Sequence, residues 1–274
     1  TDRITGENTL VHFEKKQTVN VTEILSDDII STRSGSIEYE TDKNSGKTKT
    51  ASFSSDGATV MFNGVKTAVY SPSDLKPSSG KVRLVDNNGD NRAEYVFVYE
   101  YTGLVIVDRV STTDEFVGSK LRAMDNIDYS ESSNSRFFIM KNGEAITFED
   151  LKQNDVINVA KSNKAVDGKA LYYLFVSSET LNGKITSSDP GNMILCVDDV
   201  EYKVSVKYKE YKPSLFTMLS ASEAITAYID NDGKIAYIDG GRAVGTYYYI
   251  VNLYTETSFE GDVKLRLFTD LSAF

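Results

Sequence analysis

Asp86, Asn88 and Asp90 stand at alternate positions and Glu94 follows four further on, a D-x-N-x-D-x-x-x-E run of hard oxygen donors. Oxygens at that spacing can converge on one Ca²⁺. The run is not an EF-hand, whose loop takes glycine at its sixth position and glutamate at its twelfth, because those positions hold Asn91 and Phe97. Two readings remain open: a calcium loop of the extracellular type, and a solvated hairpin turn held by Asx hydrogen bonds.

A second group of candidates lies further along. Read as a strand, Tyr202 to Tyr208 puts Lys203, Lys207 and Lys209 on one side, either as a basic strip for an anionic wall polymer or as an edge whose lysines deter pairing. Tyr208 and Tyr211, with the run Tyr247-Tyr248-Tyr249, offer rings that could stack on sugars or pack across strands. Lys203, Lys207, Lys209, Tyr208 and Tyr211 form the expected ligand-binding set.

The remaining chemistry is sparse. His12 is the one histidine, in a short apolar run, so H-E-x-x-H is excluded, and no Walker A loop, G-x-S-x-G or G-x-G-x-x-G occurs. Cys196 is alone, which rules out an intrachain disulfide, and its alternating run Met193 to Val197 predicts a small packed side chain. Asp27-Asp28 and Asp198-Asp199 read as turn residues, and Asn20-Val21-Thr22 fits a glycosylation sequon. The expectation is therefore a non-enzyme without a resident cofactor, Ca²⁺ aside, with a carboxylate-pair glycosidase as the open alternative, since sequence spacing does not set the separation of two carboxylates.

The element that positions the acidic run is a hairpin from Gly80 to Tyr101. Val82 to Val85 forms one arm, and Tyr95-Val96-Phe97-Val98-Tyr99 forms the other, apolar on both faces and hence a central strand. Asn88-Gly89 supplies its turn. The strand, turn and capped turn of Val60 to Leu75 precede it. The pattern returns in Phe137-Phe138-Ile139-Met140-Lys141-Asn142-Gly143, in Thr147 to Leu151, and in the hairpin Asp155 to Val176 across Asp167-Gly168. A more divergent copy runs from Ile194 to Ile238 with Asp230-Asn231-Asp232-Gly233-Lys234 as its hairpin. Ser177 to Asn192 reads as a connection, with Asn182-Gly183 as a turn signal.

Composition agrees with this reading. Among 274 residues there are 17 Tyr, 13 Phe, only 4 Pro and no Trp, which suits hairpin-rich β-structure. The fold class expected is all-β: tandem small β-barrel or sandwich modules with very little helix. The divisions expected are 1–129, 130–241 and 242–274, the last completing the preceding sheet or beginning a truncated module in what reads as a fragment of a longer chain. A net charge of −10 argues against nucleic acid or an anionic membrane as partner.

The run VRLVDNNGDNRAEYVFVYEY, with FEDLKQNDVINV and LNGKITS downstream, resembles uncharacterised β-modules of Gram-positive bacterial surface proteins that accompany S-layer homology repeats. The likeness covers most of Ala58 to Gly240. It implies an extracellular, cell-surface location, neighbouring domains of the same polypeptide as partners, and a structural or adhesive role. Binding of a carbohydrate or cell-wall polymer is the alternative.

Overall fold

The computed structural model describes residues 19–42, 45–240, 248–255 and 263–269. His12 and Tyr247 lie outside them. The chain is mostly β, as expected, but among the described residues no sheet closes into a barrel, and the arrangement is sandwich-like.

The first unit is built from β1 (Asn20–Leu25), β2 (Ile29–Arg33), β3 (Ser36–Asp42), β4 (Lys47–Phe53), β5 (Thr59–Phe62), β6 (Val65–Thr67), β7 (Gly80–Asp86), β8 (Arg92–Ala93) and β9 (Tyr95–Glu100). One sheet has the order β1-β7-β9-β5-β6 and the other β2-β3-β4-β8. Asn63 (φ 44°) and Gly64 (φ 83°) make the tight turn between β5 and β6, a left-handed pair that Asn-Gly adopts at little cost. Between β6 and β7, Pro72–Leu75 forms one 3-10 turn closed by a capping box of Ser71 and Asp74. Val82, Leu84, Val96 and Val98 alternate onto the core with Ile24, Ile37 and Phe53.

The second unit contains β10 (Gly103–Ser111), β11 (Phe116–Ser119), β12 (Ile127–Asp128), β13 (Ser135–Lys141), β14 (Glu144–Ala145), β15 (Val156–Lys161) and β16 (Ala170–Ser177). Its sheet has the order β12-β11-β10-β15-β16-β13-β14 and draws strands from both sides of Ser130. The Asn142-Gly143 turn and the Thr147/Asp150 capping box repeat the devices of the first unit.

The third unit contains β17 (Thr180–Asp189), β18 (Ile194–Val197), β19 (Val200–Lys203), α1 (Val206–Tyr211), α2 (Leu215–Met218), β20 (Ala224–Ile229) and β21 (Ile235–Gly240). β22 (Tyr248–Thr255) and β23 (Val263–Thr269) pair with each other as an antiparallel hairpin.

The three units share one connection scheme. An opening strand (β1, β10 or β17) pairs antiparallel with a later one (β7, β15 or β20). That strand pairs with the last (β9, β16 or β21). The last strand runs parallel to β5, to β13, or in the third unit to a single bridge at Val204. The repetition visible in the sequence is thus a repetition of topology.

Two sequence expectations change here. Asn182-Gly183 lies inside β17 and makes no turn. Its glycine answers a close approach, because a Cβ there would stand 2.5 Å from Val197 Cγ1 and from an Asp198 carboxylate oxygen. Cys196 is half-buried, opposite in phase to the fully buried Leu195 and Val197.

The second sheet is covered on both faces. From β10, Val105 and Val107 enter the second unit's own core with Ile157 and Val159 of β15. Their neighbours Leu104, Ile106 and Val156 join the third unit's core around Leu195, Tyr208, Ile225 and Ile235. Further along that same face, Ala160 and Phe175 meet Tyr99 and Tyr101 of the first unit. The units therefore share cores, and between the two apolar contacts sits Asn158, a polar residue 1% exposed.

Candidate functional site

The acidic run lies where the sequence puts it, in the loop between β7 and β9. Carboxylate oxygens of Asp86, Asp90 and Glu94 lie within 4.8 Å of one another. Asn88 does not join them as a parallel ligand: its side-chain N–H donates to Glu94 Oε1 at 2.8 Å. Asp86 Oδ1 accepts the backbone N–H groups of Asn88 and Gly89, and Oδ2 accepts those of Asn91 and the Asn20 side chain. Four donors match the lone-pair sites of a carboxylate. Burial pushes the Asp86 carboxyl up, but these hydrogen bonds outweigh it and hold it below the usual range. Gly89 and Asn91, with φ of 81° and 64°, carry the left-handed bends, so the turn is longer than an Asn-Gly pair alone. Glu94 Oε2 also accepts the Asn87 N–H at 2.7 Å, and Asp90 Oδ1 accepts the Arg92 N–H at 2.8 Å.

The expected strand over Tyr202–Tyr208 is corrected. It ends at Lys203, and Val206–Tyr211 is helical. Lys212 precedes Pro213, which disfavours further helix. Apolar packing selects the helix, since it turns Tyr208 into the third core, 1% exposed, where its hydroxyl accepts the Ile238 N–H. The five residues expected to bind ligand are consequently dispersed. Lys203 pairs with Asp27, Lys207 with Glu210, and Lys209 bonds the Pro213 carbonyl. Tyr211 carries the Arg122 guanidinium 3.9 Å above its ring.

A different constellation occupies the junction of the three units. Lys81 of β7, 2% exposed, donates to Glu23 Oε1 at 2.9 Å and to Asn231 Oδ1 at 2.6 Å. It also stands 4.4 Å over the Phe175 ring and 4.0 Å from Asp232 Oδ1. The Tyr101 hydroxyl donates to the same Asp232 oxygen at 2.9 Å. Asp230 accepts from the Asn158 side chain at 3.2 Å and from the backbone N–H groups of Asp232 and Lys234. Lys234 reaches back to Asp27 at 3.0 Å.

Lys81, Lys203 and Lys234 face Glu23, Asp27, Asp230 and Asp232 in this cluster. Burial, then the neighbouring Asp230, raises Asp232 to about 6 despite Lys81. Burial likewise raises Asp230. Asp27 goes the other way, its burial outweighed by Lys234 and then Lys203. Sequence reasoning found the Asp230–Lys234 hairpin as a turn but not its docking, because only the folded chain brings Lys81 and Tyr101 against it.

Aromatic rings seal the seam beside the cluster. Tyr99 lies 5.1 Å from Tyr173 and 5.0 Å from Phe175, which itself meets Tyr101 at 5.8 Å. On the surface near this seam a groove of about 740 Å³ carries Lys66, Lys76, Lys161 and Lys164 against Asp74 and Glu100.

Compared with protein-family models, with curated proteins and with solved structures, the chain matches none of them. Among the described residues no helix is long and apolar enough to cross a membrane.

Proposed function

We propose that this chain is a non-enzymatic structural segment of a bacterial cell-surface, S-layer-associated polypeptide, which spaces or presents neighbouring domains. The reading rests chiefly on the way the three units are joined. A spacer made of independent modules would bend at each connection, whereas shared cores and a buried ionic junction resist bending. The paired carboxylates Asp230 and Asp232 face inward at that junction, against Asn158, Tyr101 and Lys81, and line no open cleft among those described. Incubating the pure chain with cell-wall glycans tests the non-enzymatic role: released sugar or peptide would contradict it.

A second reading, binding of an anionic wall polymer, is favoured by the groove with its four lysines. Its charge complements phosphate or carboxylate repeats at the rim of an otherwise acidic chain. Saturable, salt-sensitive binding lost in Lys161→Ala with Lys164→Ala would establish it.

A further inference from the structure

The junction places an amine, a carboxamide and a carboxyl group where they can react. Lys81 Nζ is 2.6 Å from Asn231 Oδ1, so the side-chain carbon of that amide lies one bond beyond a contact already made. The two residues are 150 positions apart in the chain. Glu23 holds the amine from the other side at 2.9 Å, and Asp232, the residue after Asn231, offers a carboxylate oxygen at 4.0 Å. The side chains of Lys81 and Asp232 are only 3% and 2% exposed. The centre of the Phe175 ring lies 4.4 Å from the amine, and the Tyr101 hydroxyl donates to Asp232. Fixed proximity of this kind replaces a bimolecular encounter.

We propose that Lys81 and Asn231 join in an intramolecular isopeptide bond, formed by the folded chain itself. In the first step Lys81 Nζ closes the 4.0 Å to Asp232 Oδ1 to hydrogen-bond distance, and the ammonium passes a proton to that carboxylate. The freed electron pair on Nζ then attacks Cγ of Asn231, forming the new C–N bond and moving the carbonyl pair onto oxygen. Asp232 returns the proton to the amide nitrogen, the carbonyl re-forms, and the old C–N bond breaks with loss of ammonia. Nζ gives up a second proton to the departing ammonia. In sum, one ammonium and one carboxamide become one secondary amide and one ammonium ion, with no oxidant, reductant or cofactor consumed. A carboxyl that exchanges its proton near neutrality, as the raised Asp232 does, suits both transfers. The bond would tie β7 of the first unit to the β20–β21 hairpin of the third, closing a loop that contains the entire second unit. The proposal stands on these contacts and is independent of any cell-surface role.

Intact-mass spectrometry of the purified 274-residue chain tests it directly. The expected mass is about 17 Da below that of the sequence, the mass of one ammonia. Proteolysis should yield a branched peptide carrying Lys81 and Asn231, and the denatured chain should migrate faster than Lys81→Arg. That variant keeps the charge but cannot form the bond, and Asp232→Asn, nearly isosteric, should also retain full mass. An unmodified wild-type mass overturns the proposal. So does an ammonia loss that maps to an Asn-Gly pair such as Asn88-Gly89 or Asn142-Gly143, where succinimide formation has the same mass signature. Since the decisive readout is on the wild-type chain, it does not depend on any variant folding.

Discussion

Asn158 and Asp230, 72 residues apart and both almost fully buried, are joined by a hydrogen bond of 3.2 Å across the boundary between the second and third units. Asn158 Oδ1 also accepts the Asn231 backbone N–H at 3.3 Å. One side chain thus orients the turn that presents Asn231 and Asp232 to Lys81. Replacing Asn158 by Ala leaves a buried carboxylate and a buried N–H short of partners, at a cost of about 1–3 kcal/mol. The midpoint of thermal unfolding should fall by about 2–4 °C per kcal/mol. A double-mutant cycle with Asp230→Ala should recover part of that loss, because the second deletion removes the orphaned group.

The same junction sets a pH dependence. Asp232 titrates at about 6 in the folded chain against an ordinary 3.8. Between those values the folded state binds more protons than the unfolded state, so this group's contribution falls as pH rises through the window. Lowering the pH from 7 to 5 should therefore raise the unfolding midpoint, by an amount equivalent to about 1–3 kcal/mol. Asp27 and Asp86 act oppositely, since their lowered values give stability that is present above the usual carboxylate range and lost below it. Stability should then decline in stronger acid. Thermal scans of wild type and Asp232→Asn across this range check the assignment: the gain between pH 7 and 5 should disappear in the variant.

For the acidic loop, the four donors to Asp86 predict that stability depends on that carboxylate whether or not Ca²⁺ is present. Asp86→Ala should cost about 1–3 kcal/mol in excess chelator. Millimolar Ca²⁺, with Mg²⁺ as control, should leave the wild-type midpoint unchanged. A calcium-specific rise that is lost in Asp90→Ala or Glu94→Ala would instead make the loop a metal site.

Gly183→Ala offers a test of the third unit. The new Cβ would sit 2.5 Å from Val197 Cγ1, forcing β17 away from the β18–β19 turn, with an expected loss of about 1–3 kcal/mol. Gly143→Ala, in the turn between β13 and β14, meets no atom within 4 Å, so its smaller cost would come from φ 81° alone.

The hairpin of β7 and β9 was legible because alternation and turn chemistry are local. The capped turns at Ser71 and Thr147 were legible for the same reason, as was the recurrence linking the first two units. Asn182-Gly183 misled because Asn-Gly marks a turn only if neither residue must pack, and here the missing Cβ admits a neighbouring strand. Tyr202 to Tyr208 alternates like a strand, and nothing within it reports that Tyr208 is needed in a core built from β17, β20 and β21. Asp86, Asp90 and Glu94 could be placed together from spacing. Lys81, Tyr101, Asn158 and Asp232 could not, since their proximity is set by how the units pack and a buried lysine looks like any other in sequence.

The claim on which the rest depends is that the three units behave as one body. Scanning calorimetry of wild type and Phe175→Ala tests it most directly, because Phe175 belongs to the second unit and packs against Tyr99 and Tyr101 of the first. A single cooperative transition that moves as a whole to lower temperature, by the equivalent of about 3–5 kcal/mol, is the predicted result. Separate transitions, with the variant shifting one and leaving the others in place, would contradict it.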